Sequence, residues 1–210
     1  LLIDSEALQF EAYARVLERY GVAVTRAEYA AQWIAAGRGP EYAVLAYRLP
    51  LSAYELRALK DPVYHEIMRE RIALMPGALA ALQRVHGHYP LGLATNSNRA
   101  DTRFVLGHLG LRRFFQVVVT RDQYARAKPE PDAYVVAAAR LGRAPQHCVV
   151  VEDSHRGIVA ASRAGAMPIA VPNDFTRDND FSLAAAVLDR LDGLTVGLIE
   201  DLLAQRGIDG

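Results

Sequence analysis

What is scarce in this chain narrows its function. It has one cysteine, Cys148, in 210 residues, which excludes an internal disulfide framework and a multi-thiolate metal site. Cys148 opens the apolar run 148–151 and is expected to be buried in the core. Charge of one sign is also missing. The 24 basic and 24 acidic side chains cancel, so the chain lacks the footprint of a dedicated nucleic-acid binder or a polybasic membrane-surface protein. No uninterrupted apolar run reaches the roughly 18 residues of a membrane span, and Leu1 runs into Asp4-Ser5-Glu6 without the basic and apolar regions of a leader. A soluble protein of the reducing cytoplasm with a small-molecule partner is expected, as a monomer or small homo-oligomer. Lysine is rare too: only Lys60 and Lys128 occur.

What is present is a globular composition, 51% hydrophobic and 23% charged, long enough to bury roughly 70% of the unfolded surface. From about Ser5 to Arg84 the periodicity is helical. Phe10, Tyr13, Leu17 and Tyr20 fall on one face, and Gly21 follows as a stop. Thr25-Arg26-Ala27-Glu28 and Ser52-Ala53-Tyr54-Glu55 have capping-box spacing, each opening a helix. Pro40, Pro50 and Pro62 punctuate the region, and Pro76-Gly77 marks a turn.

From Pro90 onward short apolar runs alternate with helical stretches. Runs at 91–94, 115–119, 147–151 and 168–171 predict buried parallel strands, with helices over about 99–109, 132–141 and 155–164 between them. This β-α-β-α-β-α-β order predicts an α/β fold with a doubly wound parallel sheet, whose ligands bind beyond the carboxyl ends of the strands. The polar stretch 173–180 reads as a loop.

Chemistry-bearing residues stand at those strand ends. Thr95-Asn96-Ser97 follow the first run, where a hydroxyl, an amide and a helix N-terminus suit an anion, although Ser, Thr and Asn are equally ordinary N-caps. Glu152-Asp153 follow the third. Adjacent carboxylates repel without a compensating cation, and hard oxygen ligands suit Mg²⁺, although an isolated Asp there would equally serve as a cap. Lys128 precedes Pro129-Glu130-Pro131-Asp132, and the alternating prolines predict an extended, rigid backbone that aims the lysine. An anion cradle, a cation and a carboxylate pair together read as phosphoryl chemistry.

Asp4-Ser5-Glu6, Ala94-Thr95-Asn96-Ser97, Lys128-Pro129-Glu130-Pro131-Asp132 and Glu152-Asp153-Ser154-His155-Arg156-Gly157 resemble, in order and spacing, the motifs of the haloacid dehalogenase superfamily. The likeness is to the subgroup with an inserted helical cap, which holds many phosphatases and β-phosphoglucomutase. It implies a Rossmann-like core over 1–7 and 75–210 and a cap over 8–74. It further implies an Mg²⁺-dependent phosphatase acting on a small phosphorylated metabolite, such as a sugar phosphate or phosphoglycolate, through an aspartyl-phosphate. On that resemblance Thr95 and the backbone amide of Asn96 hold the phosphoryl group and Lys128 neutralises it. Asp153 binds Mg²⁺ directly, Glu152 directly or through water. Ser154 resembles a helix cap and Gly157 a close-packing position.

The family's Asp-x-Asp-Gly would lie just ahead of Leu1, so both the nucleophile and the acid/base are expected before the first residue of this chain. The resemblance makes Arg38, in Gly37-Arg38-Gly39, a cap-loop contact to a substrate anion, and an ordinary exposed arginine is the alternative. Gln9 stands where β-phosphoglucomutase has a histidine that assists proton transfer, which lowers the mutase alternative. A non-catalytic phosphate-metabolite binder is the remaining alternative. His86 and His88 have no further metal ligand at suitable spacing.

Overall fold

The computed structural model describes residues 1–207. The chain forms two compact units, one comprising Leu2–Ala73 with Asn173–Asp178, the other Leu1, Leu74–Pro172 and the described residues from Asn179 onward.

The first unit is helical: α1 (Ser5–Glu18), α2 (Arg26–Tyr29) running into a π-helical turn (Ala30–Ala35), α3 (Gly39–Ala46) and α4 (Ala53–Arg71). Local chemistry sets the starts. The Asp4 carboxylate accepts the Ala7 amide at 3.1 Å to open α1, and at α4 Ser52 and Glu55 cap each other reciprocally. The expected box at Thr25 is half formed. Thr25 accepts from the Glu28 amide, but the Glu28 carboxylate accepts instead from the hydroxyls of Tyr42 (2.8 Å) and Tyr47 (2.6 Å), because a buried-side tyrosine hydroxyl needs an acceptor more than an exposed amide does.

Tyr13, Val16 and Leu17 of α1 pack with Leu56, Trp33 and Phe175 in one core. Phe175 comes from the stretch expected to be loop; it is buried against Tyr29, with the Arg26 guanidinium 4.4 Å from its ring centroid. Tyr20 is 37% exposed, since α1 ends before it and Gly21, at φ +74°, turns the chain away. Pro62 does not break the chain as expected but lies inside the 19-residue α4. The lost backbone bond is outweighed by burial of Leu56, Tyr64, Ile67 and Met68 along the same helix.

The second unit carries α5 (Ala78–Val85), β1 (Gly92–Ala94), α6 (Arg99–His108), β2 (Val117–Val119), α7 (Asp132–Arg140), β3 (Val149–Glu152), α8 (His155–Arg163), β4 (Met167–Ala170), β5 (Ala186–Val187) and α9 (Val196–Ala204). The α/β alternation is as expected and every strand pair is parallel, but among the described residues the strands form two ladders, β1-β2 and β3-β4-β5. The two-residue β5 has no counterpart in the sequence reading, being too short to leave a period. Gly77, at φ +81°, makes the turn before α5, and a Cβ there would meet Asp192 Oδ1 at 2.5 Å, so only glycine fits. Cys148 is half-buried rather than in the core, its thiol facing the Ala144 carbonyl and its pKa raised by burial. Among the described residues no helix is long and apolar enough to cross a membrane.

Candidate active site

Parallel strands joined by helices put their carboxyl ends along one edge, so Ala94, Val119 and Glu152 each deliver the following residues there. After β1, the Thr95 amide donates to the Val119 carbonyl at 3.0 Å, and Thr95 Oγ1 accepts the Ser97 amide at 3.1 Å. The cap of α6 is Asn98, which accepts the Asp101 amide at 2.8 Å. That leaves 95–97 as a loop lying ahead of the helix, with capping assigned to another residue. The loop after β2 clamps it: the Arg121 amide donates to the Ser97 carbonyl at 2.9 Å, Arg99 pairs with Asp122 at 2.8 Å, and the Tyr124 hydroxyl lies 2.9 Å from the Thr95 carbonyl and 2.7 Å from Asn96 Oδ1.

Lys128 sits in a turn closed by the Glu130 amide on the Ala127 carbonyl at 3.1 Å, with a cis Lys128–Pro129 peptide. This corrects the expected extended segment: the chain reverses here, and the aim of the lysine comes from its partners. Its Nζ donates to Glu152 Oε1 at 2.5 Å and to the Ala94 carbonyl at 3.1 Å, and stands 4.6 Å from the Tyr134 ring centroid. An ammonium has three hydrogens, and the third has no acceptor among the described residues. Lys128 is only 7% exposed, which rules out a solvated loop lysine.

Glu152, at the end of β3, is equally buried. Oε1 accepts from Lys128 and from the Tyr134 hydroxyl, both at 2.5 Å; Oε2 accepts from the Asp153 amide at 3.1 Å and the Ser154 hydroxyl at 3.3 Å. A carboxylate offers about four acceptor sites, and all are taken. Burial, the strongest influence, pushes the Glu152 pKa up, but the charge and hydrogen bond of Lys128, with the Tyr134 hydroxyl, bring it down to about 2. Holding this group ionised therefore stabilises the fold fully above the ordinary carboxylate range, and that contribution is lost as pH falls toward 2. The Tyr134 hydroxyl is pushed well above its ordinary value, by burial first and by the Glu152 charge second. Ser154 caps α8 through the Gly157 amide at 3.2 Å, and a Cβ on Gly157 would stand 2.1 Å from the Glu152 carboxyl carbon. Cap and close-packing position are thus as expected. Asp153 Oδ2 lies 2.6 Å from the Leu1 nitrogen.

Thr95, Asn96, Lys128, Glu152 and Asp153 are thereby gathered at one strand edge. The other two expected residues lie in the helical unit. Gln9 Oε1 accepts from the buried Lys60 Nζ at 2.8 Å, and that lysine also pairs with Asp61 at 2.7 Å. Arg38 is exposed and reaches Gln32 Oε1 at 3.3 Å. Tyr124 and Tyr134 were not singled out from sequence. The signal available was a tyrosine on an otherwise small, apolar face, as in Ala133, Ala137 and Ala138 beside Tyr134, since a buried hydroxyl requires a partner.

For a metal, the donors at the β3 end are carboxylate oxygens with no thiolate or imidazole among them. This set suits Mg²⁺, which takes one or two carboxylates and completes its shell with phosphate oxygens and water. Among the described residues no group of three or more His, Cys, Asp or Glu side chains forms a fuller cluster.

Comparison with known proteins identifies the family. Residues 2–165 match the model of the haloacid dehalogenase-like hydrolases. The fructose-1-phosphate phosphatase YqaB of Escherichia coli is 31% identical over 175 residues, 78% of this chain and 87% of that protein. The bifunctional riboflavin kinase/FMN phosphatase of Arabidopsis thaliana is 33% identical over 147 residues; the match takes in 69% of this chain but spans only 38% of that longer protein. Among solved structures, CbbY from Rhodobacter sphaeroides in complex with phosphate superposes with a TM-score of 0.81 at 26% identity, covering 95% of each chain. With the family model matched over most of its length and its motif residues assembled at one strand edge, the chain belongs to the haloacid dehalogenase-like hydrolases.

Proposed function

We propose that the protein is an Mg²⁺-dependent phosphatase of the cytoplasm that hydrolyses a small phosphorylated metabolite, a sugar phosphate or phosphoglycolate-like ester, through an aspartyl-phosphate. The observation that carries the reading is the buried Lys128, held between Glu152 and the carbonyl of Ala94, the residue before Thr95, with one ammonium hydrogen left over. A lysine kept at such an edge is placed to meet negative charge. The sugar-phosphate class is supported by the similarity to a fructose-1-phosphate phosphatase.

On this reading the Thr95 hydroxyl and the Asn96 amide bind the phosphoryl oxygens, and Lys128 offsets the charge that builds on them as the ester bond breaks. The nucleophilic and acid/base carboxylates would be the two aspartates of the family's Asp-x-Asp-Gly, a motif that residues 1–210 do not include. Mg²⁺, when bound, supplies charge neutralisation at the phosphoryl group. Asp153 would hold it directly, and Glu152, whose acceptor sites are taken by Lys128, Tyr134, the Asp153 amide and the Ser154 hydroxyl, would orient Lys128 and reach the metal through a water only where that water replaces the Ser154 hydroxyl at 3.3 Å.

The test is phosphate release by the full-length protein from sugar phosphates, phosphoglycolate and nucleotides. Activity is expected with Mg²⁺, lost in excess chelator and restored by Mg²⁺; full activity in chelator overturns the proposal. Asp153→Asn should weaken Mg²⁺ binding by tenfold or more in calorimetry while changing the metal-free melting temperature little, because asparagine keeps the shape of the side chain and the adjacent Glu152 charge is already compensated by Lys128. A severe loss of metal-free stability would instead make Asp153 a structural residue.

A further inference from the structure

Asn96 carries an exposed side chain whose two amide atoms are not equivalent in their surroundings. The Tyr124 hydroxyl, at 2.7 Å, and the Lys128 backbone N–H, at 3.4 Å, both point at the same amide atom. The Lys128 N–H is a donor that cannot reverse its role, so the atom it faces is the oxygen; an NH₂ there would set donor against donor. The Tyr124 hydroxyl proton is shared between that oxygen and the Thr95 carbonyl at 2.9 Å. The amide oxygen is thereby turned inward, and the NH₂ is presented outward with no acceptor among the described residues. Tyr124 is itself only 8% exposed, and its backbone carbonyl accepts from Arg121 Nη1 at 2.9 Å, so the hydroxyl stands on a fixed support.

We propose that the Asn96 side-chain NH₂ is a further donor to the substrate's phosphoryl oxygens, beyond the backbone amide of the same residue, and that Tyr124 is the positioning residue that aims it. The inference rests on the phosphatase reading above. A planar amide free to rotate presents oxygen or nitrogen to an anion, and the oxygen repels it. Tyr124 removes that alternative before substrate arrives, so the donor is in place without reorganisation.

The experiment uses full-length protein, p-nitrophenyl phosphate as substrate and inorganic phosphate as competitive inhibitor. Asn96→Ala should raise the inhibition constant for phosphate about tenfold, the scale of one hydrogen bond to a charged group. Asn96→Asp keeps an acceptor for Tyr124 but turns a carboxylate oxygen toward the anion, so its loss should exceed that of Asn96→Ala. Recovery toward wild type in Asn96→Asp would show a structural oxygen and overturn the proposal, as would unchanged phosphate inhibition in Asn96→Ala. Tyr124→Phe should raise the constant about three- to fivefold with little change in melting temperature, and in combination with Asn96→Ala should add nothing further. Multiplying losses would show that Tyr124 acts by another route. Because Asn96 is exposed, its variants decide the donor role whatever Tyr124→Phe does to folding. A wild-type protein that neither turns over the ester nor binds phosphate would sink the phosphatase reading itself, whereas an active wild type with an indifferent Asn96 sinks only this inference.

Discussion

Lys128→Ala is expected to lower kcat by roughly two orders of magnitude or more, since removing one aimed transition-state donor in a water-poor site costs about 2.7–4 kcal/mol. The geometry adds a second consequence that the motif alone does not imply. Lys128 is the cation that compensates the buried Glu152 carboxylate at 2.5 Å, so its loss leaves a buried charge with only neutral donors, a change that costs about 3–5 kcal/mol in comparable pairs. Turnover and stability should fall together. They separate in two ways. Lys128→Arg keeps a positive charge in the pocket but not the compact ammonium that fits between Glu152 Oε1 and the Ala94 carbonyl, so melting temperature should recover further than kcat. The destabilisation in Lys128→Ala should also be largest near neutrality and shrink on acidification, because protonating Glu152 removes the uncompensated charge. Measuring kcat and melting temperature against pH for both variants checks this. A near-normal turnover in Lys128→Ala would return the lysine to a purely structural role.

Gly157→Ala should be destabilising by about 3 kcal/mol or more, although a glycine-to-alanine change inside a helix ordinarily stabilises by about 1 kcal/mol. The sign reverses because the new Cβ would lie 2.1–2.5 Å from the carboxyl atoms of Glu152. The backbone of α8 is anchored by the Ser154 cap, so the carboxylate must move instead. Doing so pulls it off Lys128 and Tyr134, adding a broken buried pair to the cost of overpacking. Catalysis should fall with it, since Lys128 loses one of its two partners. Gly107, inside α6 with nothing within 4 Å of its Cβ position, is the control: Gly107→Ala should show the ordinary helical stabilisation. Chemical denaturation of the two variants beside wild type is sufficient, and a stabilised Gly157→Ala would mean that Glu152 has room the structure does not show.

Much of this architecture is written locally. The change from a helical period to alternating apolar runs near residue 90 marks an α/β region because both signals depend on neighbours three, four or two residues away. The Ser52–Glu55 box and the turns at Gly21 and Gly77 likewise depend on few residues. The motif residues Thr95 and Glu152-Asp153 could be placed at strand ends, and Lys128 ahead of a helix, for the same reason, since a strand's or helix's direction and end follow from its own segment.

What local pattern could not supply was who meets whom across the chain. Thr25 and Ser52 have the same spacing, yet only Ser52 completes its box, because Tyr42 and Tyr47 compete for Glu28. Pro62 has a breaker's chemistry but sits within a helix whose packing outweighs the lost bond. Phe175 belongs to a polar stretch and is nonetheless buried among aromatics of the helical unit. The two tyrosines at the strand edge carry the same lesson. The partners of Tyr124 lie 28 and 29 residues away and that of Tyr134 lies 18 away, separations at which sequence periodicity has no memory. A hydroxyl's need for a partner is a property of the residue, whereas the identity of that partner exists only once the strands have brought their ends to one edge.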